Sequence, residues 1–203
     1  MQLDNRLSLQ RGKLHLYLEL NGVRIAYAYI RKNGCSAFKR AMGFDPTTQV
    51  DNIAKTNRWR PWQRYDHAIF VYRDPLERLI SLYRNKVIDG RGSTDILRTY
   101  YRTMREAPTT FERFVEFACL EEDPHCWKQT DHLKPLNYTA VALSQLYPAM
   151  SEIVGPGAAE IFRRKENSSS PHQIEITDRA RAMLKEHYAK DYALICRIGE
   201  SAE

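Results

Sequence analysis

Two short polar stretches of this chain follow apolar runs, and both carry residues that hold anions. The first is Lys32-Asn33-Gly34-Cys35-Ser36, after which Ala37 to Met42 is compatible with a helix. Glycine at position 34 lets the backbone turn sharply and approach an anion, with its amides and the following helix start aimed at it. Ser36 adds a hydroxyl donor, and Lys32 a positive charge where the apolar run ends. Together they would cradle a phosphate or a sulfate; a plain turn with a solvated lysine is the other reading. The second stretch is Arg73-Asp74. A guanidinium at the end of a buried strand can hold a phosphate through two parallel hydrogen bonds. Ser81 follows two helical turns on, with Arg78 and Arg84 in the same helix. An ion pair of Arg73 with Asp74 or Glu77 is the alternative there.

Both stretches need a strand before them and a helix after them. Leu14, Leu16, Leu18 and Leu20 alternate with other residues, Asn21-Gly22 follows, and Val23 to Ile30 is apolar on both faces. That pattern predicts a β-hairpin whose second strand is central in a covered sheet. Ala68 to Tyr72 reads as a buried strand. Leu76 to Val87 has a helical period, with Pro75 near its start and Asp74 as N-cap. Residues 45–66, with Trp59-Arg60-Pro61-Trp62, read as a polar loop with little regular structure. Helices are expected at 95–105, 110–120, 144–154 and, capped by Thr177, 177–194; a strand is expected at 138–143. Residues 163–171 read as a basic, flexible segment. The recurrence of strand, polar turn and helix predicts an α/β fold: a central, mainly parallel sheet flanked by helices, with an N-terminal β-hairpin. In such sheets ligands bind beyond the carboxyl ends of the strands. With no repeat and no linker, residues 1–203 read as a single domain.

The chain has 203 residues, of which 43% are hydrophobic and 28% charged. That balance excludes collagen, low-complexity disorder and a disulfide-dense mini-protein. No apolar run approaches the roughly 20 residues of a membrane-spanning helix, and Met1 to Gln10 lacks the pattern of a secretory signal. Cys35, Cys119, Cys126 and Cys196 are scattered, so a reducing, cytoplasmic setting is expected. The net charge of +6 suits an anionic ligand, and a solvated basic surface accounts for it as well.

Tyr29-Ile30-Arg31-Lys32-Asn33-Gly34-Cys35-Ser36-Ala37-Phe38-Lys39-Arg40 resembles the 5′-phosphosulfate loop of carbohydrate-type sulfotransferases. The stretch from Phe70 through Arg73-Asp74-Pro75 and Ser81 to Lys86 resembles their 3′-phosphate motif. Asp123-Pro124-His125-Cys126-Trp127-Lys128-Gln129 resembles their short His/Trp/Gln segment, and the end of the chain their C-terminal helix. The segments stand in the family's order and cover most of the chain from about residue 23. The resemblance implies a P-loop-like fold and the donor 3′-phosphoadenosine 5′-phosphosulfate, with no metal. It implies that Lys32 contacts the bridging oxygen, with Asn33, Gly34, Cys35, Ser36 and Ala37 lining the loop. Arg73 and Ser81 would bind the 3′-phosphate, and the basic run with Arg163 and Lys165 would close over the nucleotide. Two positions depart from the family: Arg31 stands where a proline is common, and Ala37 where many members have a hydroxyl.

Sulfuryl transfer also needs a base for the acceptor's proton. His125 is the first candidate because it lies in the family-like segment, with a hydrogen-bonded structural histidine as the other reading. Asp131, Glu77, Asp51 and His15 are further candidates, and His67, at the start of a strand, is discounted. The expected acceptor is a carbohydrate hydroxyl or amine, not nucleic acid. The competing functions are a nucleotide kinase, which would need an acidic metal site, and a binding module that keeps the donor pocket without turnover. Cys119, His125, Cys126 and His132 match no standard zinc spacing, and the cysteines read as buried apolar residues.

Overall fold

The computed structural model describes residues 1–92, 94–163 and 173–200. In chain order the strands are β1 (Gln2–Asp4), β2 (His15–Leu20), β3 (Val23–Ala28), β4 (His67–Tyr72) and β5 (Asn137–Ala142). The α-helices are α1 (Cys35–Ala41), α2 (Val50–Asn57), α3 (Pro75–Tyr83), α4 (Thr94–Met104), α5 (Phe111–Cys119), α6 (Leu146–Val154), α7 (Pro156–Ala159), α8 (Asp178–His187) and α9 (Ala189–Glu200). The described residues divide into two compact units: those of 1–72, 129–163 and 197–200, and those of 73–128 and 173–196.

The first unit holds the sheet, in the order β1-β5-β4-β3-β2. β2 and β3 form the expected hairpin, with Asn21 and Gly22 both at positive φ and Leu20 paired with Val23. Those φ values are what a type I′ turn requires. β3 and β4 run parallel, as do β4 and β5. The centre of the sheet is parallel as expected and the whole is mixed: both edges are antiparallel, because the hairpin adds β2 on one side and β1 pairs β5 on the other. One face is packed by helices, with Leu16, Leu18, Ile25, Tyr27, Ile69 and Val71 meeting Phe38, Ile53 and Met150. Tyr27 stacks on Phe38 at 3.7 Å between ring centres.

Residues 45–66 are not all loop. α2 forms there because Val50 and Ile53, one helical turn apart, both bury into the core. Pro148 does not break α6, since it sits in the first turn, where its missing N–H has no helical partner to lose.

The second unit is helical. Asp74 caps α3 by accepting from the Glu77 amide at 3.0 Å, and Thr110 and Thr177 cap α5 and α8 in the same way. Its core gathers Leu79, Leu82, Tyr100, Phe114, Phe117, Leu184 and Tyr188. The helix expected over 177–194 is split at Tyr188, whose backbone leaves helical geometry. The buried Tyr188 side chain donates its hydroxyl to the Cys126 carbonyl, and that tertiary bond overrides the continuous helix.

Candidate active site

In the first unit the turn after β3 is built from two left-handed residues. Lys32 has φ +71° and Gly34 φ +75°, with Asn33 between them, and α1 starts at Cys35. Only glycine adopts that conformation without strain, so Lys32 is held there by its surroundings. Asn33, the next residue, is anchored by its side chain. It is fully buried, and its Nδ2 donates to the Val71 carbonyl at 2.8 Å and to Gln129 Oε1 at 2.5 Å. On the other side of the turn, a Cβ on Gly34 would come within 3.1 Å of a Leu146 methyl and 3.2 Å of a Leu143 methyl.

α1 has no side-chain cap and no acidic residue in its first turn. Its leading amides, at Cys35 and Ser36, precede the point where helical bonding starts, with the Ala37 amide bonded to the Gly34 carbonyl at 3.0 Å. Successive amides after alternating backbone signs form a concave anion seat. Cys35 and Ser36 are half-buried, while Ala37 is buried in the core. Asn33 turns its side chain inward, and its backbone amide donates to the Ile30 carbonyl at 3.3 Å.

In the second unit Arg73 is partly buried and pairs with Glu77, Nε to Oε2 at 3.5 Å. That ion pair is the alternative raised for it, while Asp74 is used as the cap. Ser81 is half-buried on α3. Arg78 plays a part that a helix-face charge does not announce. It is 3% exposed, and its guanidinium donates to the carbonyls of Trp127 at 2.9 Å and His125 at 3.0 Å. Arg78 therefore braces the 123–128 segment from beneath.

On that segment, Asp123 Oδ1 accepts from the His125 amide at 2.8 Å and faces His125 Nδ1 at 2.6 Å. Close by, Glu121 takes Lys128 and His187 as partners. Burial raises the Cys119 thiol to about 11 and pushes Cys126 higher still, as expected of core cysteines.

The other base candidates separate by position. His15 is buried, with Nε2 2.7 Å from the Tyr138 hydroxyl. His15 Nδ1 faces the Lys13 carbonyl at 3.4 Å, which only accepts, so in the neutral ring Nδ1 carries the hydrogen and the Tyr138 hydroxyl donates to Nε2. Burial lowers the His15 pKa to about 3. The ring is structural. Glu77 is taken by Arg73, Asp51 is exposed in the first turn of α2, and Asp131 lies in a short 3-10 turn, 130–132. His67 opens β4 opposite Ile25, at the amino end of that strand.

Arg163 is exposed, stacks 3.9 Å over the Tyr147 ring and bonds Glu160. With Arg40, Glu160 and Ile161 it lines a cavity of about 620 Å³. Arg40 lies in the last turn of α1, roughly 9 Å along the helix from Gly34. Lys165 lies outside the described residues. Among the described residues no three His, Cys, Asp or Glu side chains gather as metal ligands, and no helix is long and apolar enough to cross a membrane.

The sequence profile described as "Sulfotransferase family" matches residues 21–146, more than half of the chain. The chain belongs to the sulfotransferase family. The stretch of this sulfotransferase that matches contains the turn at 32–37, the Arg73–Ser81 segment and the Asp123–Gln129 segment; Arg163 and Lys165 lie beyond it. Carbohydrate sulfotransferase 14 of Homo sapiens is 28% identical over 160 residues, covering 66% of this chain and 41% of the human protein. Carbohydrate sulfotransferase 14 of Mus musculus is also 28% identical over 160 residues, covering 64% of this chain and 42% of the mouse protein. The match thus spans about two-fifths of the length of these curated relatives. No solved structure matches the chain.

Proposed function

We propose that this sulfotransferase moves a sulfuryl group from 3′-phosphoadenosine 5′-phosphosulfate to a hydroxyl or amine of a carbohydrate, with residues 1–203 acting as one catalytic domain of P-loop-like fold. The observation that carries the reading is the left-handed Lys32–Gly34 turn leading into an uncapped helix start, because it offers amides and a cation to a doubly charged group. Its place within the stretch matched by the family supports the same reading. The similarity to carbohydrate sulfotransferase 14 supports the acceptor class.

In the reaction the acceptor's oxygen or nitrogen bonds to sulfur as the bond from sulfur to the bridging oxygen breaks. The electron pair leaves on the 5′-phosphate oxygen. The Lys32 ammonium meets the charge that builds there, so its attraction grows toward the transition state. The amides of Cys35 and Ser36 and the Ser36 hydroxyl hold the phosphosulfate. Arg73 and Ser81 hold the 3′-phosphate, and Arg163 with Lys165 closes over the nucleotide. His125 takes the acceptor's proton. Asp123 accepts the Nδ1 hydrogen, which leaves the lone pair of the neutral ring on Nε2. None of these roles requires a metal.

The test is transfer of labelled sulfate from the donor to a panel of glycans and phenols. Transfer to a glycan, slowed about a hundredfold to a thousandfold in Lys32→Ala, is expected. Phosphate transfer from ATP with magnesium, without sulfate transfer, would make the chain a kinase. Donor binding with no transfer to any acceptor would make it a binding module.

A further inference from the structure

We infer that Asn33 and Gln129 are positioning residues that aim Lys32, an inference that rests on the role of Lys32 proposed above. Lys32 occupies a backbone conformation that an L side chain leaves unless its neighbours prevent it. The residue after it is clamped at two points far away in the chain. Asn33 Nδ2 bonds the Val71 carbonyl near the end of β4, and Gln129 Oε1 from a segment 96 residues on. Both side chains are essentially excluded from solvent, at 0% and 1% exposure. The orientation of the Asn33 amide is fixed by its surroundings, because the Val71 carbonyl can only accept and so the NH2 must face it. Using both hydrogens leaves Asn33 Oδ1 buried without a partner. An apolar side chain would avoid that penalty, so the amide is there for what its two donors hold.

The clamp holds the turn in place with Gly34 packed against Leu143 and Leu146. Without it Lys32 can relax to a right-handed or extended backbone, which swings its side chain away from its direction in this structure. Gly34 keeps its own left-handed φ and its packing on Leu143 and Leu146, so the amides of Cys35 and Ser36 that follow it stay largely in place, and Arg73 keeps its side chain. The loss therefore falls on turnover rather than on donor affinity, and the side chain of Gln129 acts without touching either substrate.

The experiment is a cycle of Asn33→Ala and Lys32→Ala, with Gln129→Met as a milder second variant that leaves the Val71 bond in place. Kinetics of sulfate transfer are read beside calorimetry with 3′,5′-adenosine bisphosphate and thermal melts of each variant. Asn33→Ala is expected to lower kcat roughly tenfold to a hundredfold, with the bisphosphate Kd changed less than threefold. Gln129→Met is expected to lower kcat about fivefold. In the Lys32→Ala background both substitutions become silent, which a general loosening of the fold would not produce. Single variants as fast as the parent would overturn the inference. So would a further tenfold loss on top of Lys32→Ala, or equal losses in kcat and in donor affinity. If the parent transfers no sulfate and binds no bisphosphate, the proposed function has failed and takes the inference with it. If the parent transfers and only Lys32→Ala is slow, the positioning role alone is wrong.

Discussion

His125 Nδ1 lies 2.6 Å from Asp123 Oδ1, and the same oxygen also accepts the His125 amide. One carboxylate oxygen thereby sets both the backbone and the ring of the histidine. A ring fixed in this way has one tautomer when neutral, and its basic nitrogen is Nε2. His125→Ala should lower kcat by about a hundredfold or more, the usual contribution of a general base. Asp123→Asn should cost about tenfold while leaving donor affinity unchanged. Steady-state kinetics at saturating donor check both, and a His125→Ala variant within threefold of the parent would remove His125 from the mechanism.

Gly34 combines φ +75° with leucine methyls close to where a Cβ would stand. Gly34→Ala therefore meets strain and crowding together, at about 1 to 3 kcal/mol. Because the turn and the seat share this residue, the variant should lose donor affinity as well as stability. Thermal melts and bisphosphate titration should fall together; a stable variant of unchanged affinity would mean the turn is not the seat.

The His15 imidazole lies at about 3 in the folded protein, against 6.5 in the open chain, chiefly through burial, with the nearby Lys134 ammonium pushing the same way. Between those values the unfolded chain binds a proton that the folded chain refuses. Stability is therefore full above 6.5 and falls as the pH drops toward 3, at a rate approaching 1.4 kcal/mol per unit, roughly. Urea unfolding at neutral pH and near pH 5 should show the parent losing about 2 kcal/mol more than His15→Gln. Equal losses would show that His15 is not buried as a neutral ring.

Much of the arrangement could be read from residue order. Asn21-Gly22 announced the hairpin, Asp74-Pro75 the start of α3, and Thr177 the start of α8. What the residues did not reveal depends on tertiary contacts. α2 buries only Val50 and Ile53 among polar neighbours, too few for its period to stand out. β1 is three residues long and pairs with a strand from the far half of the chain. Tyr188 breaks a well-patterned helix for one hydrogen bond. In the site, Lys32 and Gly34 were legible as the polar turn before a helix, and Arg73 as the cation just after a buried strand. Asn33 read as a lining residue, and nothing local tells an asparagine that faces a ligand from one that faces the core. Arg78 read only as a further cation in the helix that carries Ser81, and nothing local marks it as buried, because a charge on a helix is normally solvated.

Arg78 is buried against two carbonyls of the segment that carries His125. Arg78→Ala should strand both acceptors at a cost of about 2 to 4 kcal/mol, lowering Tm by roughly 5 to 10 °C. Arg78→Lys should recover only part of the loss, since the two carbonyls are bonded by separate nitrogens of the planar fork, a spacing that one ammonium nitrogen does not reproduce. A melt unchanged in Arg78→Ala would contradict the bracing role.

Calorimetric titration of 3′,5′-adenosine bisphosphate and of AMP into the parent, Lys32→Ala and Arg73→Ala asks whether this chain grips a sulfuryl donor by its 3′-phosphate. The bisphosphate should bind the parent at least about tenfold more tightly than AMP, a difference near 1.4 kcal/mol. That preference should survive in Lys32→Ala and vanish in Arg73→Ala. Equal affinity of the parent for the two nucleotides, or a stronger affinity for ATP with magnesium, would contradict the account.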